Sequence, residues 1–121
     1  MRDYLAGSAV IGAAGSIVNT GVVTGTGVDW TSTFEPFATM VVPMGVITAA
    51  GSVIMDLQAS TVLGSGYASI GSLAVAGAAA GTQAYSVSGE LGANRYVRSV
   101  LTVAAGSATM GAVLYGKKRT V

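Results

Sequence analysis

The chain has 121 residues, 51% of them hydrophobic and only 9% charged, with 18 glycines and neither cysteine nor histidine. That excludes a disulfide framework, a thiolate metal site and a thiol nucleophile, and it removes the commonest general base and metal ligand. A net charge of +1 gives no bulk pull toward nucleic acid, and so apolar a composition is foreign to disordered chains.

The length suits one domain. Period-two alternation between glycine-rich breaks organises it. Residues 1–8 read as an N-terminal arm. Residues 16–24 and 27–31 read as short strands around breaks at Gly21 and Gly25. Residues 37–46 form an apolar strand in which Pro43, lacking a ladder donor, marks an edge or a bulge. Residues 52–60 give the sharpest pattern. Val53, Met55, Leu57 and Ala59 point one way, Ser52, Asp56, Gln58 and Ser60 the other, and Ile54 breaks the rule. Residues 67–75 and 83–88 follow as further strands. Along 95–104, Val97, Ser99, Leu101 and Val103 share one face, and Tyr96, Arg98, Val100 and Thr102 the other. A turn at Ala105-Gly106-Ser107 then leads into a last strand, 108–115, expected to close a C-terminal hairpin. The alanine run at 76–80 is cut by Gly77 and Gly81 to a loop or a single turn. About eight short strands at this spacing predict an all-β sandwich or small barrel. It occupies one domain over residues 9–116, with a basic end at 117–121.

Long uncharged stretches raise the membrane alternative, above all 99–116, which precedes Lys117, Lys118 and Arg119. A spanning helix needs about 20 predominantly apolar residues, and this stretch contains Ser99, Thr102, Gly106, Ser107, Thr109 and Gly111. With 17 valines against 7 leucines, the apolar residues favour strands over helices. No membrane span and no secretory leader are expected.

Catalytic chemistry is hard to assemble. Asp3, Asp29, Glu35, Asp56 and Glu90 are scattered, and only Asp29 and Glu35 could meet across a loop as an acid–base pair. The run from Gly21 to Gly27 lacks the lysine of a phosphate loop. No catalytic residue, cofactor, metal or small-molecule substrate is expected. Trp30, Phe34 and Phe37 form the one aromatic cluster, to be read as core packing or as an anchor at a subunit interface. Tyr96 lies between Arg95 and Arg98, a weak echo of nucleic-acid stacking. Residues 1–60 carry a balance of −3 and residues 61–121 one of +4, so copies could attract one another, or the charges could simply solvate turns.

The block Asn94-Arg95-Tyr96-Val97-Arg98-Ser99-Val100-Leu101-Thr102-Val103 resembles the (K/N)-R-Y-V-R-x-x-L-T strand of small tailed-phage and prophage structural proteins. In those a Gly-Ser/Thr turn, a last strand and a short basic end follow, as Gly116-Lys117-Lys118-Arg119 does here. Met1-Arg2-Asp3-Tyr4-Leu5, Gly27-Val28-Asp29-Trp30, Phe37 and Leu57-Gln58-Ala59-Ser60 are similar as well. The chain departs from the pattern at its glycine- and alanine-rich residues 73–81, and at Gly64-Ser65-Gly66, where many relatives carry a longer acidic hairpin.

The family includes capsid decoration, or cement, proteins. The resemblance therefore implies a jelly-roll-like β-sandwich and a structural virion protein without enzymatic activity. Its partners would be the major capsid protein and itself, as a homo-oligomer with a trimer favoured, and neither nucleic acid nor membrane. It would be made in the bacterial cytoplasm and located on the capsid surface. The expected contact residues are Arg2, Asp3, Tyr4, Trp30, Phe34, Arg95, Arg98, Lys117, Lys118 and Arg119. The alternatives are a tail- or neck-associated β-sandwich, or a carbohydrate-binding jelly roll with Trp30 or Tyr67 stacking on sugar.

Overall fold

The computed structural model describes residues 8–11, 21–45, 52–76, 83–106, 108 and 110–118. They form nine strands: β1 (Ser8–Ile11), β2 (Gly21–Thr24), β3 (Val28–Asp29), β4 (Phe34–Met44), β5 (Ser52–Ser60), β6 (Ala68–Ala76), β7 (Gln83–Glu90), β8 (Tyr96–Ala105) and β9 (Val113–Lys118). A front sheet has the order β1-β9-β4-β7, and a back sheet the order β2-β8-β5-β6 with β3 also on β8. Every pairing is antiparallel. Except for the β5–β6 hairpin and the β2–β3 edge, each connection crosses from one sheet to the other. That is the strand order of a jelly roll, as expected.

Nine segments occupy eight positions, because β2 and β3 are one interrupted strand along β8. Thr24 pairs with Val100 and Val28 with Val97, so the Gly25–Gly27 stretch is a bulge, not a reversal. Pro43 sits inside the sheet, with Ala84 of β7 on one side, yet β9 reaches only as far as Val41, and on that side Pro43 meets Gly111, whose N–H donates to the Pro43 carbonyl at 3.3 Å. Its missing donor thus faces no β9 partner.

One expectation fails. The last two strands do not form a hairpin, because β8 belongs to the back sheet and β9 to the front one. Between them Ala108, Met110 and Ala112 are buried. The connection runs across the end of the core, and apolar side chains need that route. The basic end also begins later than expected, since Lys117 and Lys118 belong to β9. Likewise Ser8 opens β1 rather than closing the arm. The alanine run beyond Ala76 lies outside the described residues.

Alternation sets the core. From the back sheet Val53, Met55, Leu57, Ala59, Val97, Leu101 and Val103 point inward; from the front sheet Phe34, Ala38, Met40, Val42, Val87 and Leu114 meet them. Ile54, the exception in the pattern, is exposed. Each large side chain so buried stabilises by about 1.5–3 kcal/mol.

Trp30 anchors one end of the core at 0% exposure. A tight turn places it, with Phe34 N–H donating to Trp30 O at 2.8 Å. Its ring centroid lies 4.7 Å from that of Phe34. It lies over Gly116, where any Cβ would collide with the indole. The indole N–H donates to the Glu35 and Phe37 carbonyls, at 3.1 and 3.2 Å. The register between β4 and β9 shifts between Phe34 and Ala38, and the indole serves carbonyls at that irregularity. At the β6–β7 margin the sheets touch through glycine. A Cβ on Gly71 would come 2.6 Å from Ser88 O, and one on Gly89 would strike the Ile70 backbone.

Candidate functional site

Among the described residues, two outward faces and one hairpin tip offer surface for contact. On the front sheet, Glu35, Phe37, Thr39 and Val41 of β4 stand beside Tyr115 and Lys117 of β9 and line an open hollow of about 550 Å³. Phe37 is 47% and Tyr115 38% exposed. Alternation along β4 sets this surface, since Phe34 and Ala38 point into the core and Phe37 outward. Thr39 and Ser88 hydroxyls are 3.0 Å apart across β4 and β7. Glu35 and Lys117, at one end of the hollow, form no ion pair with any described side chain.

The back sheet differs. Arg98 Nε donates to Gln58 Oε1 at 2.8 Å, Gln58 Nε2 to Asp56 Oδ2 at 2.8 Å, and Ser69 Oγ to Asp56 Oδ1 at 2.6 Å. The Arg98 guanidinium lies 4.1 Å from the centroid of the Tyr67 ring, a cation–π contact. The Tyr67 hydroxyl donates to Leu63 O at 2.8 Å. Burial raises the Tyr67 phenol above its ordinary value, against the opposing pull of Arg98. Below this row, Arg95 grips Asp29 through two bonds, Nε to Oδ1 at 2.9 Å and Nη2 to Oδ2 at 2.8 Å. Those bonds hold the Asp29 carboxyl below 3.8 and raise Arg95 further.

The turn after β5 presents Val62 and Leu63, both more than half exposed. It is tied from below: the Ser60 hydroxyl bonds Ser65 O and accepts from Val62 N at 3.0 Å, and Val62 bridges Ser65.

The predicted contact residues therefore scatter. Trp30 and Phe34 are core side chains, not surface anchors, and only Phe37 of the aromatic cluster faces outward. Arg95 and Arg98 face solvent but already hold Asp29, Gln58 and Tyr67. Lys117 is exposed at the hollow, and Lys118 is the last residue of β9. Arg2, Asp3, Tyr4 and Arg119 lie outside the described residues. Asp29, once offered as half of an acid–base pair, is held ionised by Arg95. Sequence reasoning missed the hollow, although one signal was present: Phe34 and Phe37, three apart in a strand, belong on opposite faces. Among the described residues no group of three or more acidic, His or Cys side chains converges as a metal site. No helix among them is long and apolar enough to cross a membrane.

No family model matches the sequence, and neither does any curated protein. Solved structures match in fold. The PBSX exported protein XepA superposes with a TM-score of 0.64 at 11% identity, over 94% of this chain and 38% of its own. This chain thus spans little more than a third of XepA. The C-terminal CBM6 of LamC, a marine laminarinase from Zobellia galactanivorans, gives 0.51 at 15% identity, over 87% of this chain and 79% of its own. At such identities the likeness concerns the fold.

Proposed function

We propose that the chain is a structural virion protein of the capsid decoration class, binding the outside of a tailed-phage shell and tying neighbouring major capsid subunits together. One observation carries the reading. A core of buried side chains fills the space between the sheets, yet large apolar side chains remain exposed in separate places: Phe37 and Tyr115 in front, Val22 and Ile54 behind, Val62 and Leu63 at the hairpin tip. A cement needs at least two contact surfaces, one for the shell and one for a neighbour, and multiple weak contacts add up through valency. The block Asn94–Val103 that carries the resemblance forms the lead-in to β8 and most of that strand, in the interior of the back sheet. The resemblance thus bears on how the domain is built. The protein would act on the capsid surface after synthesis in the bacterial cytoplasm.

The test is addition of purified protein to shells lacking it. Saturable uptake, at a copy number set by the shell lattice, and greater resistance of the shells to heat are expected. Absence of uptake rejects the reading, and uptake confined to tails moves the protein to the tail or neck.

A second reading, a carbohydrate-binding module, has in its favour the fold shared with the LamC module and the exposed Phe37 and Tyr115 rings. Neither side chain first offered for stacking is available, since Trp30 is buried and Arg98 covers Tyr67. A glycan array distinguishes the two.

A further inference from the structure

We propose that the front face pairs with the front face of a second copy, about a two-fold axis running parallel to β4 and β9 and between them. The proposal stands whether or not the chain decorates a shell.

Charge and register carry it. β9 and β4 are the two inner strands of the front sheet and run antiparallel, with Thr39 opposite Tyr115 and Ala38 opposite Gly116. A two-fold between them lays β4 of one copy over β9 of the other. The start of β4 in one copy then meets the end of β9 in the other. Glu35 of each copy faces Lys117 of the other, and Phe37 faces the Tyr115–Lys117 segment. The face is therefore self-complementary, as an isologous contact requires. Its acid and its base sit at the same end of the hollow, and neither has an ion-pair partner among the described side chains. Between the charges and the far end lie Phe37, Thr39, Val41 and Tyr115, an apolar and hydroxyl surface of the composition that interfaces tolerate.

The back face offers no equivalent, because Asp29, Arg95, Arg98, Gln58 and Asp56 already bond one another. Area agrees with a modest pairing. Four strands about 4.8 Å apart and roughly seven residues long at ~3.3 Å each give ~400–500 Å² in projection. Side-chain relief adds to that, against the ~800 Å² per partner of a standard interface. Association in the micromolar range is expected.

Sedimentation velocity over a concentration series from about 1 μM to 1 mM tests this. The wild-type chain should pass from monomer to dimer, at lower concentration in low salt than in high. Glu35→Lys and Lys117→Glu should each weaken the dimer at least tenfold, because each sets like charges face to face twice. The double variant, and an equal mixture of the two single variants, should dimerise as the wild type does. Phe37→Asp should abolish pairing. Circular dichroism and thermal midpoints check that each variant is folded, and the charge reversals suffice should Phe37→Asp fail to fold. A monomer throughout the range overturns the proposal. So does an oligomer indifferent to both reversals, or a chain that binds glycan through Phe37 and Tyr115 without self-associating.

Discussion

The two outer faces of the sandwich are built from similar residues and end in opposite states. Behind, every charged side chain among the described residues has been turned on a neighbour: Arg95 on Asp29, Arg98 on Gln58 and Tyr67, Asp56 on Gln58 and Ser69. In front, Glu35 and Lys117 flank exposed aromatic rings without such partners among the described residues. The back face is closed to new polar contacts without breaking old ones, and the front face is open. Charge alone did not distinguish them; register did. The acidic and basic halves of the sequence meet within one chain at Asp29–Arg95, so their opposite signs are partly neutralised at home.

The strongest way to break the comparison is to remove what supports both faces. Trp30→Ala empties the end of the core and strands the Glu35 and Phe37 carbonyls. It should cost about 3–5 kcal/mol in urea unfolding, a large part of the total stability of such a domain. A loss below 1 kcal/mol would mean that the indole does not hold the bulge. Gly89→Val places a branched side chain against the Ile70 backbone and should cost about 1–3 kcal/mol by the same measurement.

Smaller effects sharpen the contrast. Arg98→Ala removes the stack on Tyr67 and should cost about 0.5–1 kcal/mol. It should also move the phenol titration of Tyr67 upward, since Arg98 opposes the effect of burial. Phe37→Ser, on the open face, should change unfolding by less than about 0.5 kcal/mol, as surface substitutions do. A back-face variant that costs stability and a front-face variant that does not would confirm the division.

The smallest effect is the most specific. Asp29 titrates below 3.8 in the folded chain because Arg95 bonds the ionised carboxylate. The unfolded chain therefore binds its proton first as pH falls. The stabilisation is complete above the ordinary value and disappears as pH drops through the lowered one. Asp29→Asn should depress the thermal midpoint slightly at neutral pH, less in high salt because the pair is exposed. The difference should vanish in strong acid.

Much of the fold was legible in the residues, for a physical reason. A half-buried strand writes its orientation at every second position, and 52–60 and 96–103 did so cleanly. Strand order was not written there. Alternation says which face is buried and nothing about the neighbour, so β8 and β9, adjacent in sequence, read as a hairpin although they lie in different sheets. The alternation Ala108, Met110, Ala112 suits a strand as well as a buried crossover. The outward turn of Phe37 follows from alternation along β4, but the hollow also needs Tyr115 and Lys117 of β9, and the neighbour of β4 is not written in its residues. Arg95 and Arg98 were legible as exposed cations, but their partners come from residues up to 66 positions away.

The position of β9 bears on how the domain comes into being. It pairs with β1 on one side and β4 on the other, yet it comes last in the chain among the described strands. During synthesis the front sheet has a gap through its middle until β9 emerges, and Trp30 has no Gly116 to rest on. Folding must then join partners more than a hundred residues apart, which favours slow closure. Until β9 docks, the chain exposes the edges of β1 and β4, and protection from aggregation is needed for that long.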